Sequence, residues 1–208
     1  MAPAPLLAVL EEGRARGFLG PGPVEAHVDH AVALAGLIGA PARRFLDLGS
    51  GGGVPGLVLA LHWTGAAVTL LDASRRRCDF LREAVEQLEL ADRVDVAAGR
   101  AETLARDRLL RGAFPLVVAR AFGAPAVVAE CAAAYVSEEG SLAVTEPPDA
   151  GAEDSRARWD EAGLARLGLS APEPRRDGGV GCVVLSRIGP TDERWPRRDG
   201  VPGKRPLW

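Results

Sequence analysis

Phe45-Leu46-Asp47-Leu48-Gly49-Ser50-Gly51-Gly52-Gly53-Val54-Pro55-Gly56-Leu57 is the stretch on which the fold turns. An apolar run carrying one carboxylate passes into a string of glycines and resumes as an apolar helical pattern. That order reads as strand, tight turn, helix. Glycine supplies the positive φ such a turn needs and lets a ligand approach the backbone without an obstructing Cβ. Pro55 suits the first turn of the helix, where its missing N–H costs nothing.

Working outward, short apolar runs at 44–48, 67–71, 94–97, 116–118 and 142–144 read as buried strands. They alternate with helical patterns at 55–62, 75–89, 101–110 and 124–135. This alternation predicts right-handed βαβ units and a parallel sheet covered by helices on both faces. After a helix near 154–166 it breaks. Two strand-like segments, 168–173 and 180–187, are joined by Arg175-Arg176-Asp177-Gly178-Gly179, and Asp-Gly is a hairpin signal. The expected fold is α/β: a mostly parallel seven-stranded sheet ending in an antiparallel hairpin, the usual form of Rossmann-like class I methyltransferases. Ahead of it, residues 4–17 and 24–38 show helical spacing and are separated by Gly20-Pro21-Gly22-Pro23. The organisation expected is a helical segment over 1–40 packing on the core, a ligand-binding domain over 41–190, and a basic Pro/Arg-rich arm over 191–208.

Composition narrows the class. At 208 residues, with 47% hydrophobic and 25% charged, the chain fits one domain able to bury its own core. No apolar run approaches the ~20 residues of a bilayer span, so a membrane role is excluded. The net charge of −3 lacks the global basic field common in nucleic-acid binders and leaves room only for local patches. Lys204 is the single lysine among 25 basic residues. Cys78, Cys131 and Cys182 are odd in number and widely spaced, offering neither a disulfide framework nor a metal site. Met1-Ala2-Pro3-Ala4-Pro5 lacks a basic leader region, and a cytoplasmic monomer without metal is expected.

Gly51-Gly52-Gly53-Val54-Pro55-Gly56 also fits GxGxxG, so a dinucleotide or a ligand-free tight turn stays open as a reading. Two carboxylates favour S-adenosylmethionine (SAM). Asp47 would repel a pyrophosphate but can accept hydrogen bonds from the ammonium of SAM. Asp72, at the end of the second strand, is placed to accept both ribose hydroxyls. Gly49, Ser50 and Gly51 complete the loop, and backbone groups at Ala101 and Glu102 follow the third strand, where an adenine would sit. Arg120-Ala121-Phe122 follows the fourth strand, at the mouth where a methyl acceptor enters, which makes Arg120 both a cofactor and a catalytic candidate.

These segments, with Arg75-Arg76-Arg77, Phe80-Leu81-Arg82 and Gly99-Arg100-Ala101-Glu102, resemble the ribosomal RNA small-subunit methyltransferase G family, also called glucose-inhibited division protein B. The tail Trp195-Pro196-Arg197-Arg198-Asp199-Gly200-Val201-Pro202-Gly203-Lys204-Arg205-Pro206-Leu207 looks like that family's C-terminal signature. The resemblance implies SAM-dependent methylation of guanine N7 in 16S, small-subunit, ribosomal RNA. A methyltransferase with another acceptor, or a non-catalytic SAM- or ribosome-binding paralogue, is the alternative. Guanine N7 has an in-plane lone pair and no proton to remove, so no general base is required. In the tail, Arg197, Arg198, Lys204 and Arg205 are the expected RNA-binding residues on an extended arm whose loss should leave SAM affinity intact. Thr145-Glu146 stands where the family pattern has Lys-Gly, and a carboxylate at the sheet's mouth would repel RNA phosphate. Of the three histidines, His27, His30 and His62, only His27 keeps that pattern, and all three read as helix residues.

Overall fold

The computed structural model describes residues 2–41, 43–148 and 150–208. Two helices open the chain, α1 (Ala4–Ala15) and α2 (Val24–Ile38), the second stopped by Gly39 at φ 74°. β1 (Arg44–Leu48) then leads through the glycine turn into α3 (Gly56–His62). The alternation continues with β2 (Ala67–Asp72), α4 (Arg75–Gln87), β3 (Val94–Ala98), α5 (Ala101–Leu104), β4 (Phe114–Ala119), α6 (Pro125–Ala133) and β5 (Val136–Thr145). It ends with α7 (Ala152–Ala157), α8 (Glu161–Arg166), β6 (Glu173–Asp177), β7 (Val180–Ser186) and α9 (Val201–Lys204).

The sheet order is β3-β2-β1-β4-β5-β7-β6, with β7 antiparallel to both of its neighbours. The order reverses between β1 and β4, which places the crevice outside their carboxyl ends, where ligands bind in such sheets. Side chains alternate across the strands. Phe45, Val68, Leu70, Leu116, Val118 and Val184 face one layer with α1, α2, α3 and α4. Leu46, Leu48, Val117, Leu142, Val183 and Leu185 face the other, with α5, α6 and α8.

Three elements differ from the sequence expectation, each for a local reason. The helix expected over 101–110 ends at Leu104, because the chain turns at Asp107, whose carboxylate accepts the Leu109 N–H at 2.8 Å. The single helix near 154–166 is two short ones. Trp159 turns inward, 3% exposed, and Asp160 starts the second by accepting the Gly163 N–H at 2.6 Å. The first hairpin strand begins at Glu173 rather than near 168. Leu169 makes only an isolated bridge to Arg187, and β6 is a polar edge strand, where Pro174 is tolerated. The hairpin turn itself has Gly178 and Gly179 at φ 52° and 84°, the backbone of a type I′ turn.

The C-terminal segment is not an extended arm. Trp195 is buried among the α6-side residues, α9 packs on α6, and Trp208 lies against Gly163 and donates from Nε1 to the Arg158 carbonyl at 3.3 Å. The segment hangs on Glu130 of α6, whose side chain is wholly buried. Arg197 donates to that carboxylate from its backbone N–H (2.8 Å), Nε (2.9 Å) and Nη2 (2.6 Å). Arg106 and Arg111 hold carbonyls of Pro196, Trp195, Thr191 and Asp192. Removing one partner of a buried pair strands the other charge, which costs about 3–5 kcal/mol. Arg197→Ala is therefore expected to lower the unfolding free energy by about 3 kcal/mol, measured as a lower urea midpoint at unchanged m-value.

Candidate cofactor and acceptor site

β1 delivers Asp47 into the interior at the switch point, between Leu70 of β2 and Val118 of β4. The carboxylate is 1% exposed, and its Oδ2 accepts the Gly56 N–H at 3.1 Å. That contact demands glycine: a Cβ at position 56 would lie 2.5 Å from the same oxygen and 2.4 Å from Leu70 Cδ2. Oδ1 is buried without a partner. Burial pushes the Asp47 carboxyl up to about 7, with the Ser50 hydroxyl, the Gly56 N–H and Arg120 offsetting part of the effect and Asp72 adding to it. An unpartnered buried carboxylate oxygen costs free energy until a cation or donor reaches it.

Asp72, at the end of β2, is 4% exposed and holds the turn from the other side. Its Oδ2 accepts the Gly51 N–H at 2.9 Å and its Oδ1 the Ser74 N–H at 2.8 Å, with Arg77 at 3.6 Å. Each oxygen retains a lone pair for a further donor. The backbone N–H groups of Gly49 and Ser50 are anchored on the Leu71 carbonyl at 2.8 and 2.9 Å. Gly49, at φ 78°, passes so close to Phe122 that a Cβ there would stand 2.5 Å from its ring.

Two cavities meet at Gly49. One, of about 250 Å³, is lined by Phe18, His27, Ser50, Gly51 and Arg120 among others. The second, of about 190 Å³, is lined by Asp72, Arg100, Ala101, Glu102 and, from α9, Gly203. Of the sequence-predicted residues, Gly49, Ser50, Gly51, Asp72, Ala101, Glu102 and Arg120 line these two cavities, while Asp47 is buried beside the glycine turn and lines neither. Together they fit an elongated ligand with a cationic end near Asp47, a diol at Asp72 and a flat base beside Ala101. The orphan oxygen of Asp47 and the glycine cradle are the observations that match SAM. Among the described residues no group of three or more His, Cys, Asp or Glu is placed to hold a metal. No helix among them is long and apolar enough to cross a membrane.

His27 is a site residue that sequence reasoning read only as part of a helix. Its Nδ1 stands 2.8 Å from Arg120 Nη2, and its Nε2 3.2 Å from the Gly20 carbonyl. A guanidinium only donates, so Nδ1 accepts and the Nε2–H donates to Gly20. The imidazole therefore ties the Phe18–Gly20 loop to Arg120. Burial, followed by the nearby charges of Arg120 and His27, holds the His30 pKa below its ordinary value. The available signal was the retention of His27 in the family pattern, which by itself says nothing of a partner 93 residues away.

Two expectations are corrected. Arg197 is engaged by Glu130 and by the Arg205 carbonyl at 2.7 Å, so it is not a free RNA ligand, whereas Arg198, Lys204 and Arg205 are exposed. Glu146 does not present a charge at the mouth. It is 6% exposed, accepts from Arg158 Nη1 at 2.5 Å and from Trp159 Nε1 at 3.2 Å, and is neutralised within the fold.

Residues 24–151 match the family model described as rRNA small subunit methyltransferase G. The chain belongs to that family. Relatives named Ribosomal RNA small subunit methyltransferase G include one from Deinococcus deserti, 34% identical over 99% of this chain and 87% of its own length. Another, from Parasynechococcus marenigrum, is 34% identical over 80% of this chain and 68% of its own. Among solved structures, a putative SAM-dependent methyltransferase from Methanococcus maripaludis aligns with a TM-score of 0.61 at 16% identity, covering 79% of this chain and 87% of that one. A predicted O-methyltransferase from Agrobacterium tumefaciens aligns with a TM-score of 0.57 at 23% identity, covering 77% and 81%. These two share the class I methyltransferase fold. SAM is the cofactor of the family and of the fold.

The raised Asp47 carboxyl makes a signed prediction. Its folded pKa near 7 exceeds the unfolded value, so the unfolded chain releases this proton first as pH rises. The penalty is absent below about pH 4 and complete above about 7. Asp47→Asn should therefore melt higher than the parent at pH 8, with the difference shrinking towards pH 5. Parallel thermal scans at the two pH values measure it.

Proposed function

We propose that this protein methylates guanine N7 of small-subunit ribosomal RNA with SAM as donor, in the cytoplasm. The unpartnered Oδ1 of Asp47, buried at the end of β1 beside the glycine turn of a class I fold, supports the cofactor half of the reading. Membership of the rRNA small subunit methyltransferase G family supports the acceptor. When bound, the cofactor supplies a methyl group activated by its sulfonium. Asp47 accepts the ammonium on Oδ1, Asp72 accepts the ribose hydroxyls, and Ala101 and Glu102 flank the base. Gly49, Ser50 and Gly51 let the backbone close on the middle of the ligand.

Guanine N7 bears its lone pair in the ring plane and no hydrogen, so the protein has to orient and desolvate rather than remove a proton. Arg120 is the catalytic candidate. Held by His27, it lines the cavity shared with Gly49, Ser50 and Gly51, and its guanidinium can donate to an acceptor's carbonyl or phosphate oxygen. Burial lowers its pKa from the ordinary arginine value, with Asp47 opposing the shift. Arg198, Lys204 and Arg205 offer exposed cations for phosphate contact, which adds affinity without reading sequence. The internal pairing of Glu146 with Arg158 removes the electrostatic reason to prefer a different acceptor.

The test is transfer of labelled methyl from SAM to small subunits lacking the N7 mark, with an active family member alongside. Labelled 7-methylguanosine in the digest is expected. No transfer beside a working control would reject the reading. SAM affinity is expected to rise with pH through about 7 as Asp47 ionises, and Asp47→Asn should lose both the affinity and its pH dependence in calorimetry. His27→Ala should reduce kcat on the order of tenfold by loosening Arg120. His27→Gln, with one acceptor and one donor in place of the two ring nitrogens, should recover most of it.

A further inference from the structure

The segment from Arg197 to Arg205 makes contacts that RNA binding does not explain. Its inward groups fall on the two helices that frame the cavity beyond Asp72. The Gly200 N–H donates to Glu102 Oε1 at 2.9 Å, and the Asp199 carboxylate accepts from the Thr103 hydroxyl at 2.8 Å. Gly200 reaches Glu102 with φ at 74°, a conformation that side-chain-bearing residues rarely adopt. Arg197 anchors the segment on α6 through Glu130, and Gly203 of α9 forms part of the wall of the cavity itself.

Glu102 and Thr103 belong to α5, which is four residues long. A helix of one turn has no stability of its own and stays where tertiary contacts hold it. The Tyr135 hydroxyl donates to the Ala101 carbonyl at 2.6 Å from the sheet side. From the solvent side, Gly200 and Asp199 make the corresponding hydrogen bonds to the same turn. The outer surface of the segment keeps Arg198, Lys204 and Arg205 exposed, so its two faces are chemically different.

We propose that residues 197–205 are the outer wall of the adenine pocket, and that Asp199 and Glu102 are positioning residues that fix the first turn of α5 against the cofactor's base. The proposal rests on the SAM reading given above. It reverses the expectation that the tail can be lost without affecting the cofactor: the segment belongs to the binding site as much as to any RNA surface.

Titration of S-adenosylhomocysteine and of 5′-methylthioadenosine into the full-length chain tests it. Asp199 is exposed and accepts one hydroxyl, so Asp199→Ala is expected to fold with a urea midpoint close to the parent's. The variant should bind both probes about five- to tenfold more weakly, an effect worth roughly 1 kcal/mol. The factor should be the same for both, because they share the adenosine end and differ only beyond it. Thr103→Val, which removes the donor from the other side, should give the same loss. Asp199→Asn, which still offers an acceptor, should restore most of the affinity. Unchanged affinity for both probes in folded Asp199→Ala and Thr103→Val would overturn the proposal. Failure of the parent chain to bind S-adenosylhomocysteine would instead overturn the cofactor reading beneath it.

Discussion

A carboxylate buried at the end of the central strand is the constraint around which the site is built. Asp47 sits in the low-dielectric interior with one oxygen satisfied by a backbone N–H and the other without a partner. The satisfied oxygen requires that α3 approach within hydrogen-bond distance, which forces glycine at position 56. The sharp return from β1 to α3 in turn needs Gly49, Gly51 and Gly53 at positive φ. Asp72 then closes the loop from the neighbouring strand by accepting the Gly51 N–H. As a set these features leave one buried oxygen of Asp47 and the remaining lone pairs of Asp72 as the unsatisfied acceptors of the turn.

A second buried carboxylate organises the periphery. Glu130 is fully enclosed, and three donors of Arg197 answer it, so a tail rich in proline and arginine is drawn into the fold rather than left in solvent. Once Arg197 is fixed, Asp199, Gly200 and Gly203 are carried onto α5 and the cavity beside it. The exposed cations on the opposite side keep their freedom to meet phosphate. One short segment therefore contributes to the cavity beyond Asp72 through Gly203 and keeps Arg198, Lys204 and Arg205 exposed.

Much of the architecture was legible in the amino-acid order, because it rests on local rules. Apolar runs at 44–48 and 67–71, the glycine string between Leu48 and Leu57, and Asp177-Gly178 each force their local geometry through sterics and burial. That the turns after the first three strands lie side by side was also visible, since topology alone brings successive βα turns to one edge. The pairings of distant groups were not. Nothing near Arg197 names Glu130, nothing near His27 names Arg120, and Glu146 looks like a charge at the mouth until Arg158 and Trp159 are seen against it.

The sequence by itself determined the parallel sheet with its closing hairpin, the SAM-type turn and the family. The sheet and the turn follow from periodicity and glycine φ preferences, which act over a few residues, and the family from the resemblance of its motifs. Only the tertiary structure decided which charges are available. Ion pairs and caps are chosen by proximity in space, and burial decides whether a charged group is spent internally, as Arg197 and Glu146 are, or left with one oxygen unpartnered, as Asp47 is. The C-terminal segment follows the same rule, its residues brought about a hundred positions back to α5 by the buried Arg197–Glu130 pair together with the Arg106 and Arg111 contacts.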